Sequence, residues 1–244
     1  MNLIADIGNT STKLAVISGN KIVARERIAA TDPIATSKTL SSCRFKRAII
    51  STVRELPEGL EASVRSCSEY THLLSARSAF PFKIEYDTPD TLGMDRVAAV
   101  AGAYNKYDES NVLVIDAGTA ITYDLLINQT YIGGSISPGM AMRFRALNKF
   151  TGKLPLVEHD DNELKFPSRN TVDGIKAGVV NGIVFEINEY IRKFEKQYTN
   201  LLTVITGGDA EFLSRHIEPG HHTEPDLVIF GLNNILDYNA QSEF

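Results

Sequence analysis

Tryptophan is missing from the chain, and cysteine occurs only as Cys43 and Cys67, with no Cys-x-x-Cys spacing. That scarcity argues against a disulfide framework or a cysteine zinc site and points to free thiols in a reducing compartment. No run approaches the roughly 20 apolar residues of a membrane-spanning helix. Met1 to Asp6 carries no basic-then-apolar leader pattern, so a cytoplasmic protein without a membrane partner is expected. Positive charge is not clustered: 25 Lys and Arg stand against 30 Asp and Glu, a formal net charge of −5. A chain without a basic face is a poor match to nucleic acid, whose binding depends on neutralising phosphates. A Walker-A loop, a dinucleotide Gly-x-Gly-x-x-Gly and a His-Glu-x-x-His zinc helix are all absent. So is the Gly-x-Ser-x-Gly elbow of serine hydrolases.

What remains is an ordinary globular composition in 244 residues, 43% of them hydrophobic. At about 150 residues per domain this length suits one large or two small domains. A chain of this size buries about 70–75% of its unfolded surface, so its core needs no covalent staple.

The pattern of that core is duplicated. Leu3 to Gly8 reads as a buried strand ending in a polar turn, followed by apolar runs at Leu14–Ile17 and Lys21–Ala24. Some 110 positions downstream, Val112 to Gly118 repeats the plan. Asp6 maps to Asp116, Gly8 to Gly118, Thr12 to Thr122, Ile17 to Ile127 and Ile22 to Ile132 without a gap, and Asn128–Gln129 fall on Ser18–Gly19. A period this long means two similar folding units rather than a solenoid. Ala48–Val53 is a further strand, and a helix is predicted from about Thr91 to Tyr107. Val180, Val184, Ile187, Ile191, Phe194 and Tyr198 recur at three- and four-residue spacing, a helix face for its own sheet or for a dimer seam. Leu201–Ile205 is a strand, and Leu227–Gly231 a last strand or a strand–helix corner. Strands alternate with helices in both halves, which makes the class α/β. The polar break at Tyr107–Asn111 divides residues 1–108 from 109–244.

Three glycine-bearing turns follow apolar strands. In Asp6-Ile7-Gly8-Asn9-Thr10-Ser11-Thr12-Lys13, Gly8 permits close approach of a ligand, and the amides and hydroxyls can meet phosphate oxygens. Lys13 adds charge, and Asp6 can hold a hydrated Mg²⁺. Alone, the segment reads equally as a hairpin with its aspartate satisfied by backbone amides. The second copy, Asp116 to Thr122, and the turn Thr206-Gly207-Gly208-Asp209-Ala210 favour a nucleotide cleft between two domains. Asp95 suits the start of a helix, where an anion is stabilised, and could there simply pair with Arg96. Tyr86 could be a packing residue and Thr171 a helix cap. The segments 158–161 and 218–224, with their histidines, read as solvated loops.

These three turns resemble the phosphate-1, phosphate-2 and adenosine motifs of the superfamily of sugar kinases, chaperone ATPases and actin, built from duplicated ribonuclease H-like domains with mixed sheets flanked by helices. Tyr86-Asp-Thr-Pro-Asp-Thr-Leu-Gly-Met-Asp-Arg96, Gly133-Gly-Ser-Ile-Ser-Pro-Gly139, Leu154-Pro155 and Asn170-Thr-Val-Asp-Gly-Ile-Lys-Ala-Gly178 narrow the likeness to type III pantothenate kinase, from Asn2 to about Asn239. Thr88 departs from the family, which usually has Asn before this proline. The resemblance implies ATP-dependent phosphorylation of pantothenate by a homodimer, with Asp95 as general base. Tyr86, Gly93, Met94, Asp95, Arg96 and Thr171 would meet pantothenate, Thr171 at the dimer interface. ATP would be held by residues 6–13, Thr119, Gly207 and Gly208, with Mg²⁺ through water on Asp6. Asp116 would hold a monovalent cation, K⁺ or NH₄⁺. A kinase of another small acceptor such as an amino sugar, or a nucleotide-gated regulatory protein, would use the same cleft.

Overall fold

The computed structural model describes residues 1–29, 39–40, 44–107, 111–158, 160 and 166–241; Cys43, His159 and Asp161 lie outside them. The chain forms two units, one of Met1–Asp108 with Leu227–Phe244, the other of Glu109–Asp226.

The first unit carries β1 (Asn2–Ile7), β2 (Ser11–Ser18), β3 (Lys21–Ala29), β4 (Phe45–Thr52), α1 (Leu60–Cys67), β5 (Ser68–Leu73), the two-residue β6 (Lys83–Ile84) and α2 (Met94–Tyr107). The second carries β7 (Asn111–Ala117), β8 (Ala120–Ile127), β9 (Thr130–Pro138), α3 (Met140–Phe150), α4 (Thr171–Gln197), β10 (Leu202–Thr206), α5 (Ala210–Ser214) and β11 (His221–Thr223). The final helix, α6 (Leu227–Gln241), returns to the first unit.

In the first sheet the order is β3-β2-β1-β4-β5, with β1–β2 and β2–β3 antiparallel and β1–β4 and β4–β5 parallel. β1 is central because Leu3, Ile4, Ala5 and Ile7 are all fully buried, the near-continuous apolar run of a strand covered on both faces. The strands of the second unit follow the same plan, β9-β8-β7-β10-β11. β7–β8 and β8–β9 are antiparallel, β10 parallel to both β7 and β11. The duplicated ribonuclease H-like architecture is therefore present in both sheets.

Three expectations change. Leu227–Gly231 is helical. Its local run of β-branched and aromatic residues suggests a strand, but Leu227, Gly231, Leu232, Ile235, Leu236 and Asn239 are buried at helical spacing. A Cβ on Gly231 would collide with the Ala98 carbonyl, and one on Gly102 with the Leu227 carbonyl, so these glycines let α2 and α6 cross almost backbone to backbone. α6 is further tied to the first unit by Asn2 Nδ2 donating to Asn233 Oδ1 (2.8 Å) and Arg47 Nη1 to Asp237 Oδ1 (2.8 Å). A second domain running unbroken to residue 244 is corrected accordingly. Residues 218–224 are not simply a loop either: β11 pairs Thr203 with His221 and Ile205 with Thr223, a strand too short to show a period.

The third change concerns the repeat. Asp6 stands opposite Lys13, whereas Asp116 stands opposite Thr122. The offset is thus 110 up to the turn and 109 after it. The register shift at Val16/Ile17 matches that at Leu125/Leu126 under the second offset, and Asn128–Gln129 fall on Gly19–Asn20. The second turn is one residue shorter: Gly8 N bonds Ser11 O (3.0 Å), while Gly118 N bonds Ala120 O (2.9 Å).

Both units have their own cores. Leu3, Ile7, Leu14, Val16, Phe45, Ile50, Leu60 and Val64 pack in the first. In the second, Val180, Val184 and Ile187 of α4 pack on the unit's own sheet with Leu113, Ile115 and Tyr123.

Candidate active site

The first loop closes the β1–β2 hairpin. Asp6, Lys13 and Ser51 sit at mutually paired positions, so their side chains share one face at the strand ends. Asp6 is buried, with Lys13 Nζ 3.9 Å from Oδ2. Burial pushes its carboxyl above the usual carboxylate range; Lys13 opposes that rise, and the carboxylate of Asp95 adds to it. Asp95 therefore lies within electrostatic reach of Asp6. Asn9 and Thr10 form the exposed tip, while Ser11 and Thr12 are buried. Among the described residues the Thr12 and Ser51 hydroxyls have no hydrogen-bond partner, an arrangement that suits a polar ligand or water. Arg27 Nε donates to Ser11 Oγ (3.0 Å) and Arg54 Nε to the Gly8 carbonyl (3.0 Å). Neither arginine is marked by any sequence motif.

Asp95 occupies the first turn of α2, as its spacing predicts, and its Oδ1 accepts from Arg96 N (2.9 Å). Gly93 makes that fold-back possible, because a Cβ there would sit 2.6 Å from Asp95 Oδ1. Arg96 is buried with its guanidinium 6.0 Å from the Tyr86 ring centroid, and Met94 is buried beside them. Tyr86, Gly93, Met94, Asp95 and Arg96 thus share one neighbourhood in the first unit. Thr88 anchors the short 3₁₀ turn Pro89–Thr91, its carbonyl (2.9 Å) and hydroxyl (2.8 Å) both engaging Thr91 Oγ1.

In the second unit Asp116, Thr122 and Thr206 share a face, since Asp116 is paired with both threonines. Both threonine hydroxyls are buried and, among the described residues, have no hydrogen-bond partner. Gly207, at φ +99°, presses on this corner so closely that a Cβ would strike the Ala117 carbonyl and Asp116 Oδ1. Asp209 N bonds the Ala117 carbonyl (2.9 Å), and Gly139 N the Thr119 carbonyl (3.2 Å). The second loop is thereby joined to the Gly207–Gly208 turn and to the start of α3. Thr119 and Gly208 are exposed.

Thr171 lies in the second unit as the first residue of α4. The cap is Asn170, whose side chain accepts from Asp173 N (2.9 Å), so Thr171 is not needed for capping. It lines a groove of about 750 Å³ between α3 and α4 with Arg143, Leu147, Phe150 and Ile175. Beside this groove is a network absent from the sequence reading. The Glu186 carboxylate accepts from Tyr123 Oη (2.8 Å), Ser137 Oγ (2.5 Å) and Arg143 Nη2 (2.7 Å), and Arg143 Nε donates to the Pro138 carbonyl (2.8 Å). Burial opposes ionisation of Glu186, but these bonds outweigh it and hold the carboxyl below its usual range. The bond partners lie 49 and 63 residues from Glu186 for Ser137 and Tyr123, beyond any local pattern.

The model of the type III pantothenate kinase family matches residues 2–193. The chain belongs to the type III pantothenate kinase family. A type III pantothenate kinase of Porphyromonas gingivalis is 41% identical over 242 residues, covering 98% of this chain and 99% of that one. Among solved structures, a Campylobacter jejuni protein described as a conserved putative Baf family transcriptional activator has a TM-score of 0.65 at 22% identity, covering 98% and 99%. A putative N-acetylmannosamine kinase from Listeria monocytogenes has a TM-score of 0.56 at 14% identity, covering 100% and 99%. The last two establish a shared fold.

A member of the type III pantothenate kinase family needs a place for the metal that accompanies ATP. Among the described residues no three His, Cys, Asp or Glu converge as a metal cage. The buried Asp6 carboxylate fits instead a hydrated Mg²⁺ held largely by phosphates, the usual mode for that ion. Asp116, Thr122 and Thr206 bring oxygen donors to one face of the second unit's sheet. No helix among the described residues is long and apolar enough to cross a membrane.

Proposed function

We propose that the protein transfers the γ-phosphoryl group of ATP to the primary hydroxyl of pantothenate, forming 4′-phosphopantothenate on the route to coenzyme A in the cytoplasm. The observation that carries the reading is the family match, whose span includes both phosphate loops and the Leu92–Arg96 segment. Asp95, half-buried in the first turn of α2, accepts the hydroxyl proton as the oxygen attacks phosphorus in line. The bond to the bridging oxygen breaks and ADP departs. Arg96 presents a guanidinium fork to the acceptor, stacked against Tyr86, while Gly93 and Met94 shape the same wall. The amides and hydroxyls of residues 6–13, with Lys13, orient the phosphates, and Thr119, Gly207 and Gly208 hold the rest of the nucleotide. Asp6 would hold Mg²⁺ through water, and the ion would supply charge neutralisation for the phosphates. Asp116, with the hydroxyls of Thr122 and Thr206 on the same face, would hold a monovalent cation. The α3–α4 groove, with exposed Phe150 in its lining, packs against a second copy, completing the pantothenate pocket with Thr171.

The test is a panel of acceptors offered with ATP to purified protein whose mass in solution is followed. Phosphorylation of pantothenate and not of hexosamines, by a dimer, is the expected outcome. Turnover of an amino sugar alone would overturn the acceptor, and a fully active monomer the shared pocket.

A further inference from the structure

A triphosphate brings several negative charges to a loop that already carries the buried carboxylate of Asp6. Lys13 is the cation the motif supplies, and it already faces Asp6 at 3.9 Å. Two further cations touch the loop. Arg27 reaches Ser11 from an exposed position on β3, whereas Arg54 is half-buried and held from several sides. Its own backbone N donates to Thr52 Oγ1 (3.2 Å), the Thr52 hydroxyl returns to the Arg54 carbonyl, and Val53 N bonds the Ile7 carbonyl (3.1 Å). These bonds dock the end of β4 against the end of β1. Arg54 Nε then donates to the carbonyl of Gly8, the residue at which the phosphate loop turns. Only Nε is committed by that bond. Among the described residues no carboxylate pairs with this guanidinium, which leaves its two Nη groups as donors beside the loop.

We propose that Arg54 is a phosphate-contacting residue: Nε fixes the Gly8 carbonyl, and the Nη groups bind oxygens of the outer phosphates of ATP. A guanidinium suits this double task because its planar fork bonds in several directions at once and keeps its charge at every physiological pH. Arg54 thereby supplies the charge that Lys13, opposed to Asp6, contributes only in part. The inference rests on residues 6–13 being the ATP phosphate loop, and not on which acceptor is used.

Arg54→Gln tests it through binding of ATP and of AMP to the full chain by calorimetry, alongside steady-state kinetics. Loss of a charge-assisted phosphate contact is expected to lower kcat/KM for ATP by roughly tenfold to a hundredfold. ATP binding weakens to match, while AMP, which lacks the outer phosphates, binds within about twofold of the unsubstituted protein. Unchanged ATP binding would overturn the proposal. Equal losses for ATP and AMP would also overturn it, because they would reduce Arg54 to a brace for the loop. Failure of the acceptor assignment is seen separately: the unsubstituted protein would bind ATP and leave pantothenate unmodified, with the Arg54 comparison still readable in the binding data.

Discussion

Lys13 stands opposite Asp6 in the first unit, and Thr122 stands opposite Asp116 in the second. The two hairpins share strand order, direction and bulge position, and differ by one residue in the turn. In a sheet, shifting the register by one exchanges the faces on which side chains stand. The threonine that aligns with Thr12 in sequence therefore takes the place of Lys13 in space. Ser51 and Thr206 complete the correspondence, each paired with the aspartate of its own unit. One loop thus carries its cation as a covalent part of the chain. The other places a carboxylate and two hydroxyls beneath the tight Gly207 turn. One residue fewer in the turn is enough to set a threonine where the first unit has a lysine.

If the first unit carries the chemistry, its most sensitive point is Asp95. Asp95→Asn is expected to lower turnover by about a hundredfold or more while leaving ATP affinity roughly intact, read by steady-state kinetics together with ATP titration. Unaltered turnover would remove Asp95 as the base and blur the functional division between the units. The next effect addresses the comparison itself. Exchange of K⁺ for Na⁺ is expected to depress the unsubstituted enzyme by roughly tenfold, the scale of one charge-assisted contact. Thr122→Lys, which puts an ammonium opposite Asp116 as Lys13 is opposite Asp6, is expected to make activity nearly indifferent to that exchange. A folded Thr122→Lys protein with the original K⁺ dependence would mean the two corners are not equivalent in charge.

Much of this pairing was legible in the sequence, but not its register. Asp6 and Asp116, the glycines after them and the apolar spacing announce two like units, because strand cores and sharp turns leave local patterns. A one-residue deletion in a polar turn leaves no such trace: the gapless match keeps hydrophobic positions aligned, and only backbone pairing reveals the slip. Asp95 and its helix start were readable from Gly93 and the apolar face that follows. The destination of α6 was not, since its apolar run fits strand and helix alike, and the choice is made by Gly102 and Gly231 meeting backbone from the other helix. Arg54 and Glu186 escaped for a related reason: each acts through partners brought near by folding, Gly8 in one case and Tyr123, Ser137 and Arg143 in the other.

The smallest predicted effect is on stability. Burial and the neighbouring Asp95 raise the Asp6 pKa despite Lys13, so the folded protein disfavours the ionised carboxylate relative to the unfolded chain. For a pKa raised on folding, the associated stability is fully present below the unfolded value and is lost as pH rises through the folded one. Above the folded pKa that stability is gone, and Asp6→Asn, which removes the charge but keeps the shape, is expected to raise Tm there. At this chain length each kcal/mol corresponds to about 2–4 °C. The gain should shrink as the pH falls through the folded pKa and the native carboxyl protonates, which thermal unfolding at a series of pH values would follow. Asp116→Asn is the matching experiment in the second unit, and because Asp116 is only half-buried its Tm should move less. An equal rise at both positions would show that the difference in burial does not set the cost of the two carboxylates.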